Sequence, residues 1–170
     1  KSFIDWAADT GQQAVQLLPI NDTSGNGGWM DSYPYSAISI YAFHPMYIDL
    51  RQLPEPEDKE EAQLFETERR NKLKLAYLRT AFRQEGDEVL SSEEFLSFFA
   101  HNESWLQPYA AFCYLRDLNH TPDFHQWSKY QTYDAAEIAK LCNPENEVYP
   151  KIAFHYYIQY QLHKQLLDAA

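Results

Sequence analysis

Long apolar runs are missing from this 170-residue chain. A helix that spans a bilayer needs about twenty apolar residues in a row, and none is present. Positive charge is scarce as well: 14 lysines and arginines stand against 25 acids, for a formal net charge of -11. That balance argues against nucleic acid and against anionic membrane as partners. Cysteine is limited to Cys113 and Cys142, too few for a disulfide framework or a zinc ribbon. Two thiols fit a reducing cytosol, so a cytoplasmic location is expected. The opening KSFIDWAADTG carries acids early and lacks an apolar h-region, so it does not read as a signal peptide. Asn21-Asp22-Thr23, Asn102-Glu103-Ser104 and Asn119-His120-Thr121 then count as chance glycosylation triplets. Glycine is rare, and three of the five glycines fall in one loop, Asn21–Pro34.

What is present suffices for a core: 45% of residues are hydrophobic and 16% aromatic. Ser2 can cap a helix to about Asp9, ended by Gly11. Ala14–Ile20 (AVQLLPI) is short, apolar and stopped by Pro19, which predicts a buried strand. Helix, glycine turn and buried strand make half of a βα repeat, and ligand-binding loops follow such strands. Ser36–Phe43 reads as a short helix and Met46–Leu50 as a short strand. Pro54, Pro56 and six acids between Glu55 and Glu66 open a charged helix to about Arg83, with Leu64, Leu73, Leu75, Leu78 and Phe82 as its stripe. Ser91 with Glu94 offers a capping box before FLSFF. Helices are predicted over Glu103–Leu118, Asp134–Leu141 and Pro150–Ala169. The last carries Phe154, Ile158, Leu162 and Leu166 at four-residue steps.

The glycine-rich loop is the one segment that is both flexible and aromatic. Trp29, Tyr33 and Tyr35 supply flat rings on which the C–H face of a sugar packs, and Asp22, Asp31 and Ser32 supply polar partners. The competing reading is a structural turn set by Pro34 and the glycines, with the rings folded inward. Asp22 and Asp31 could form a carboxylate pair for glycosidic chemistry, although Asp22 suits an Asx turn equally well. His155 and His163 lie eight residues apart on one helix, about 12 Å, too far to share a metal. Cys113 sits in the apolar run AAFCYL and reads as core. Neither a Gly-x-Ser-x-Gly elbow, nor a P-loop, nor His-Glu-x-x-His occurs, and no cofactor or metal is expected.

QLLPINDTS followed by WMDSYPYSAISIYAFHPMYIDL closely resembles the 4-alpha-glucanotransferases, the amylomaltase or disproportionating-enzyme family (glycoside hydrolase family 77). ESWLQPYAAFCYLRD and AFHYYIQYQLHKQL agree, in the family's order. The details resemble the second, cytosolic disproportionating enzyme type of plants and its bacterial relatives. Typical amylomaltases have DSPY, one residue fewer, and Asn-Pro where this chain has His44-Pro45. The resemblance implies a (β/α)8 barrel parent, of which this chain is a mostly helical segment. Residues 1–52 would be part of the barrel, with Ala14–Ile20 as its second strand. Residues 53–143 would be a helical insertion, and 144–170 the helix returning to the barrel. It also implies a retaining transfer between α-1,4-glucans or maltose through an Asp nucleophile, a Glu acid–base and a second Asp. These lie on later strands in the family, so no catalytic residue is expected here and the isolated segment should be inactive. Tyr35 matches the tyrosine that packs on the donor sugar; Asp31 and Ser32 match neighbouring positions, and Trp29 a ring near the glucan. Self-association of the fragment is expected. The rival reading is a non-catalytic helical interaction or sugar-binding module.

Overall fold

The computed structural model describes residues 2–25, 31, 33–56 and 71–169, with side chains in the last span from residue 74 onward. Five α-helices form among them: α1 (Ser2–Asp9), α2 (Asn71–Ser91), α3 (Glu93–Asn119), α4 (Ala135–Leu141) and α5 (Tyr149–Ala169). Local chemistry explains most of their ends. Gly11 adopts φ +79° beyond α1, and the amides of Gly11 and Gln12 reach back to the carbonyls of Ala8 and Ala7, both at 2.9 Å. Only a residue without Cβ adopts that backbone freely. Asp134 caps α4, accepting from the amides of Ala136 at 2.8 Å and Glu137 at 3.1 Å.

The cap of α3 lies one residue beyond its predicted place. Ser92 Oγ accepts from the Phe95 amide at 3.2 Å, whereas the Ser91 hydroxyl donates back to Asp87 and Glu88 carbonyls. Ser91 therefore closes α2, which runs eight residues past Arg83. From Ser92 the third helix continues through Pro108 to Asn119, so the capped start at FLSFF and the helix predicted over Glu103–Leu118 are one unbroken helix, an extension of that span toward the cap. Phe95 and Phe98 account for the extension, since both are buried against Tyr160 of α5 with ring centroids 5.4 and 5.5 Å away. The predicted opening of the charged helix at residues 57–70, with Leu64, lies outside the described residues.

Helix α5 is the axis of the molecule. Every residue from Ile152 to Leu162 is buried, so the expected single apolar stripe is instead a helix enclosed for three turns. One side packs with α3 and α4 around Leu106, Tyr109, Ile138 and Tyr156. The other packs with α2 around Leu78, Ala81, Tyr157 and Ile158. Two of its glutamines, Gln159 buried and Gln165 half-buried, hold an irregular segment. Gln159 accepts from the Phe43 amide at 2.8 Å and donates to the Phe43 carbonyl at 2.9 Å. Gln165 repeats this on Asp49, at 2.7 and 3.0 Å. Two side-chain amides thus satisfy backbone groups of a segment without regular secondary structure at Phe43 and Asp49.

Three expectations in that irregular segment are corrected. Ala14–Ile20 has no regular secondary structure and is neither buried nor laddered, with Leu17 63% and Leu18 64% exposed. A strand is made by its neighbours, and among the described residues the chain finds one only at Asn21, in a single antiparallel bridge to Phe43. Among the described residues the chain as a whole is mostly helical, and no barrel strand forms. Ser36–Phe43 is not a helix, because its amides are taken elsewhere: Ile38 by Asp22, Phe43 by Gln159. Met46–Leu50 is not a strand. Pro45 cannot donate to a ladder, and two 3-10 turns, Pro45–Tyr47 and Leu50–Gln52, form there instead.

Candidate functional site

The loop of interest leaves the core at Asp22 and returns at Ile38. Asp22 is 1% exposed and is the node of its base. Its amide donates to Ala42 and its carbonyl accepts from Ile38, both at 2.8 Å, so one residue joins the outgoing and returning arms. Its Oδ1 accepts from the amide of Ser24 at 2.9 Å and from the Ser24 hydroxyl at 2.6 Å, an Asx turn. Its Oδ2 accepts from the Tyr109 hydroxyl of α3 at 2.6 Å. Burial pushes the Tyr109 hydroxyl well above its usual pKa, so it stays a donor. Arg116, two turns further along α3, donates to the Ser24 carbonyl. With these roles Asp22 holds the loop and is not half of an exposed carboxylate pair.

Between the arms, Tyr33 and Tyr35 stand in solvent, 57% and 64% exposed, with ring centroids 5.6 Å apart. The alternative in which these rings fold inward is not what forms. Asp31 lies at the loop's inner side; its carbonyl accepts from the Thr23 hydroxyl, and its Oδ1 lies 3.7 Å from where a Cβ on Gly25 would stand. Trp29 and Ser32 lie outside the described residues.

Beside the loop is a cleft of about 530 Å³ whose walls include Asp22, Asp31, His44, Arg79, Arg116 and His155. Its charges are mutually engaged. Arg116 and Arg79 reach Asp117 at 2.8 and 3.9 Å, and Arg79 lies over the Phe154 ring, 4.5 Å from its centroid. Lys74 is bound to the carbonyls of Met46 and Ile48 at 2.5 and 2.7 Å, and burial lowers its pKa. Burial also lowers His44, against the pull of Asp22 and Asp31, and takes His155 down to about 4. Cys113 is 1% exposed and burial raises its thiol to about 12, so it is a core residue without nucleophilic character. No group of three metal-ligating side chains occurs among the described residues.

Sequence reasoning passed over Tyr109, Arg116 and Gln159, which hold the loop. A signal was available for two of them: Tyr109, Cys113 and Arg116 recur at helical spacing on one face of α3.

A protein-family model described as 4-alpha-glucanotransferase matches residues 1–170. The chain belongs to the 4-alpha-glucanotransferase family. It is 41% identical over 185 residues to 4-alpha-glucanotransferase DPE2 of Oryza sativa subsp. japonica, an alignment covering 100% of this chain and 19% of that relative. It is 30% identical over 179 residues to the 4-alpha-glucanotransferase of Chlamydia muridarum, covering 96% of this chain and 32% of that protein. With the Synechocystis 4-alpha-glucanotransferase it shares 28% over 171 residues, covering 93% and 32%. The chain thus spans about a fifth to a third of the length of the curated relatives it matches. The family read from NDTS, DSYPYS and FHYYIQY is the family found over the whole chain.

Proposed function

We propose that this chain supplies one glucan-facing loop of a 4-alpha-glucanotransferase, an enzyme that moves glucosyl or glucan units between α-1,4-glucans or maltose by a retaining double displacement. On this reading the parent is a (β/α)8 barrel, residues 1–52 belong to it, 53–143 form a helical insertion and 144–170 return to it. The Asp nucleophile, the Glu acid–base and the second Asp come from other parts of the enzyme. Tyr35 packs on the donor sugar, with Asp31, Ser32 and Trp29 beside it. The two free thiols support a cytoplasmic setting, and the net charge of -11 supports a neutral polysaccharide over nucleic acid or membrane as partner.

One observation carries the reading. Tyr33 and Tyr35 present adjacent exposed rings on a loop whose base is fixed by buried hydrogen bonds. Exposed rings lose solvation cost by stacking on a sugar face, and a fixed base keeps them in place. The test uses the full-length protein. Tyr35→Ala removes the platform, a loss of about 1–3 kcal/mol by analogy with burying a large apolar side chain. The oxocarbenium-like sugar must flatten, so kcat/KM should fall about tenfold to a hundredfold and kcat should fall with it. Tyr35→Phe should retain most activity, because packing and not the hydroxyl is at stake. Melting temperature and kinetics are measured on the same preparations. Intact folding with unchanged kcat/KM would remove Tyr35 from the site.

A further inference from the structure

Tyr33 and Tyr35 stand exposed, while the base of their loop is tied to the helices. Asp22 closes that base with three kinds of bond: backbone to Ala42 and Ile38, side chain to Ser24, and side chain to Tyr109. Tyr109 is 7% exposed and receives in turn the Gln159 amide at 3.3 Å. The same Gln159 brackets Phe43, the bridge partner of Asn21. A continuous chain of contacts therefore runs from α5 through Tyr109 of α3 to both arms of the loop.

We propose that Tyr109 and Gln159 are positioning residues for the aromatic loop: the Tyr109 hydroxyl, held between Asp22 and Gln159, fixes where Tyr33 and Tyr35 stand. The proposal rests on the assignment of Tyr35 to the donor sugar. Neither residue needs to meet substrate. Removing the hydroxyl leaves a buried carboxylate oxygen of Asp22 without its donor, and the cheapest relief is for the Asp22 turn to swing toward water. The rings would move with it, and misplacement of about 1 Å lowers turnover by up to a hundredfold.

The experiment compares Tyr109→Phe in the full-length protein, alone and with Tyr35→Ala, by hydrogen exchange and by steady-state kinetics on maltodextrin. Tyr109→Phe keeps the ring and its packing. Exchange across residues 33–42 should accelerate while α3 and α5 stay protected, and kcat/KM should fall about tenfold, mainly in kcat. In the Tyr35→Ala background the same substitution should cost almost nothing, because the ring that packs on the donor sugar is no longer there to place. Ser24→Ala, which removes one of the donors to Asp22, is the milder second variant should Tyr109→Phe fold poorly, and it should show the same pattern at smaller size. Unchanged exchange at 33–42, or an equal kinetic loss with and without Tyr35, overturns the positioning role. If Tyr35→Ala alone leaves kcat/KM intact, the sugar assignment fails, and the exchange data still decide whether Tyr109 clamps the loop.

Discussion

At the scale of single residues, burial decides more than charge. His155 lies 4.0 Å from the Asp117 carboxylate, which favours the protonated ring, yet burial wins and its pKa falls from 6.5 to about 4. Arg116 and Arg79 add to the depression. In the unfolded chain the ring takes its proton near pH 6.5, so between there and about 4 the unfolded state binds more protons. Stability from this group is therefore full above pH 6.5 and is lost as the pH falls toward 4, in all about 3 kcal/mol. Urea unfolding of the parent and of His155→Gln at a series of pH values should show a shallower acid slope in the variant. The lowered pKa values of His44 and His163 leave some slope in both, and the difference between the two proteins isolates His155. Equal slopes would mean that the ring is hydrated in the folded state. None of this was legible in the sequence, where His155 was weighed only as a metal ligand. A histidine's burial follows from which helices enclose it, and α5 is enclosed on both sides.

Among the elements, the short helices were legible because their signals are local. Gly11 stops α1 and Asp134 caps α4, each within a turn of the helix end, and both helices form where predicted, although Ser2 is the first helical residue of α1 and not its cap. The junction of α2 and α3 was harder, since two serines adjoin and either can cap. The geometry assigns the cap to Ser92. Ser92→Ala should destabilise by about 1 kcal/mol through the orphaned Phe95 amide. Ser91→Ala loses an exposed hydroxyl that only back-bonds to α2, and should stay within about 0.5 kcal/mol of the parent. Thermal melts of the two variants side by side check this, and a larger loss at Ser91 would return the cap to that position. The predicted strand at Ala14–Ile20 shows the opposite limit. Its apolar run records what the residues prefer to bury against, and a run of side chains cannot carry its partner strand with it. The loop's aromatic character was likewise legible, but its anchorage was not. Tyr109 and Gln159 reach it from 87 and 116 residues away, to Asp22 and Phe43 respectively.

For the whole molecule, the acidic charge and the exposed apolar surface pull against one another. Phe3 and Trp6 stack at 5.6 Å on α1 while 60% and 57% exposed, and Leu17 and Leu18 follow, exposed, on a segment with no ladder among the described residues. Apolar surface of this kind seeks cover at about 25 cal/mol per Å². The 170-residue chain in isolation should therefore associate reversibly, with sedimentation velocity showing a weight-average mass that rises with concentration. A net charge of -11 on each copy opposes contact, so added salt should strengthen the association by screening it. Leu17→Lys together with Leu18→Lys should weaken it, since each replaces an exposed apolar side chain with a charged one. A chain that stays monomeric at all concentrations, or associates less in salt, would place the driving force elsewhere. The same preparation, incubated with maltotriose, should yield neither longer glucans nor glucose, because one substrate-facing loop positions a sugar without a nucleophile or an acid to act on it. Turnover above a blank would put the catalytic carboxylates among the 25 acids of this chain and end the division of labour proposed for it.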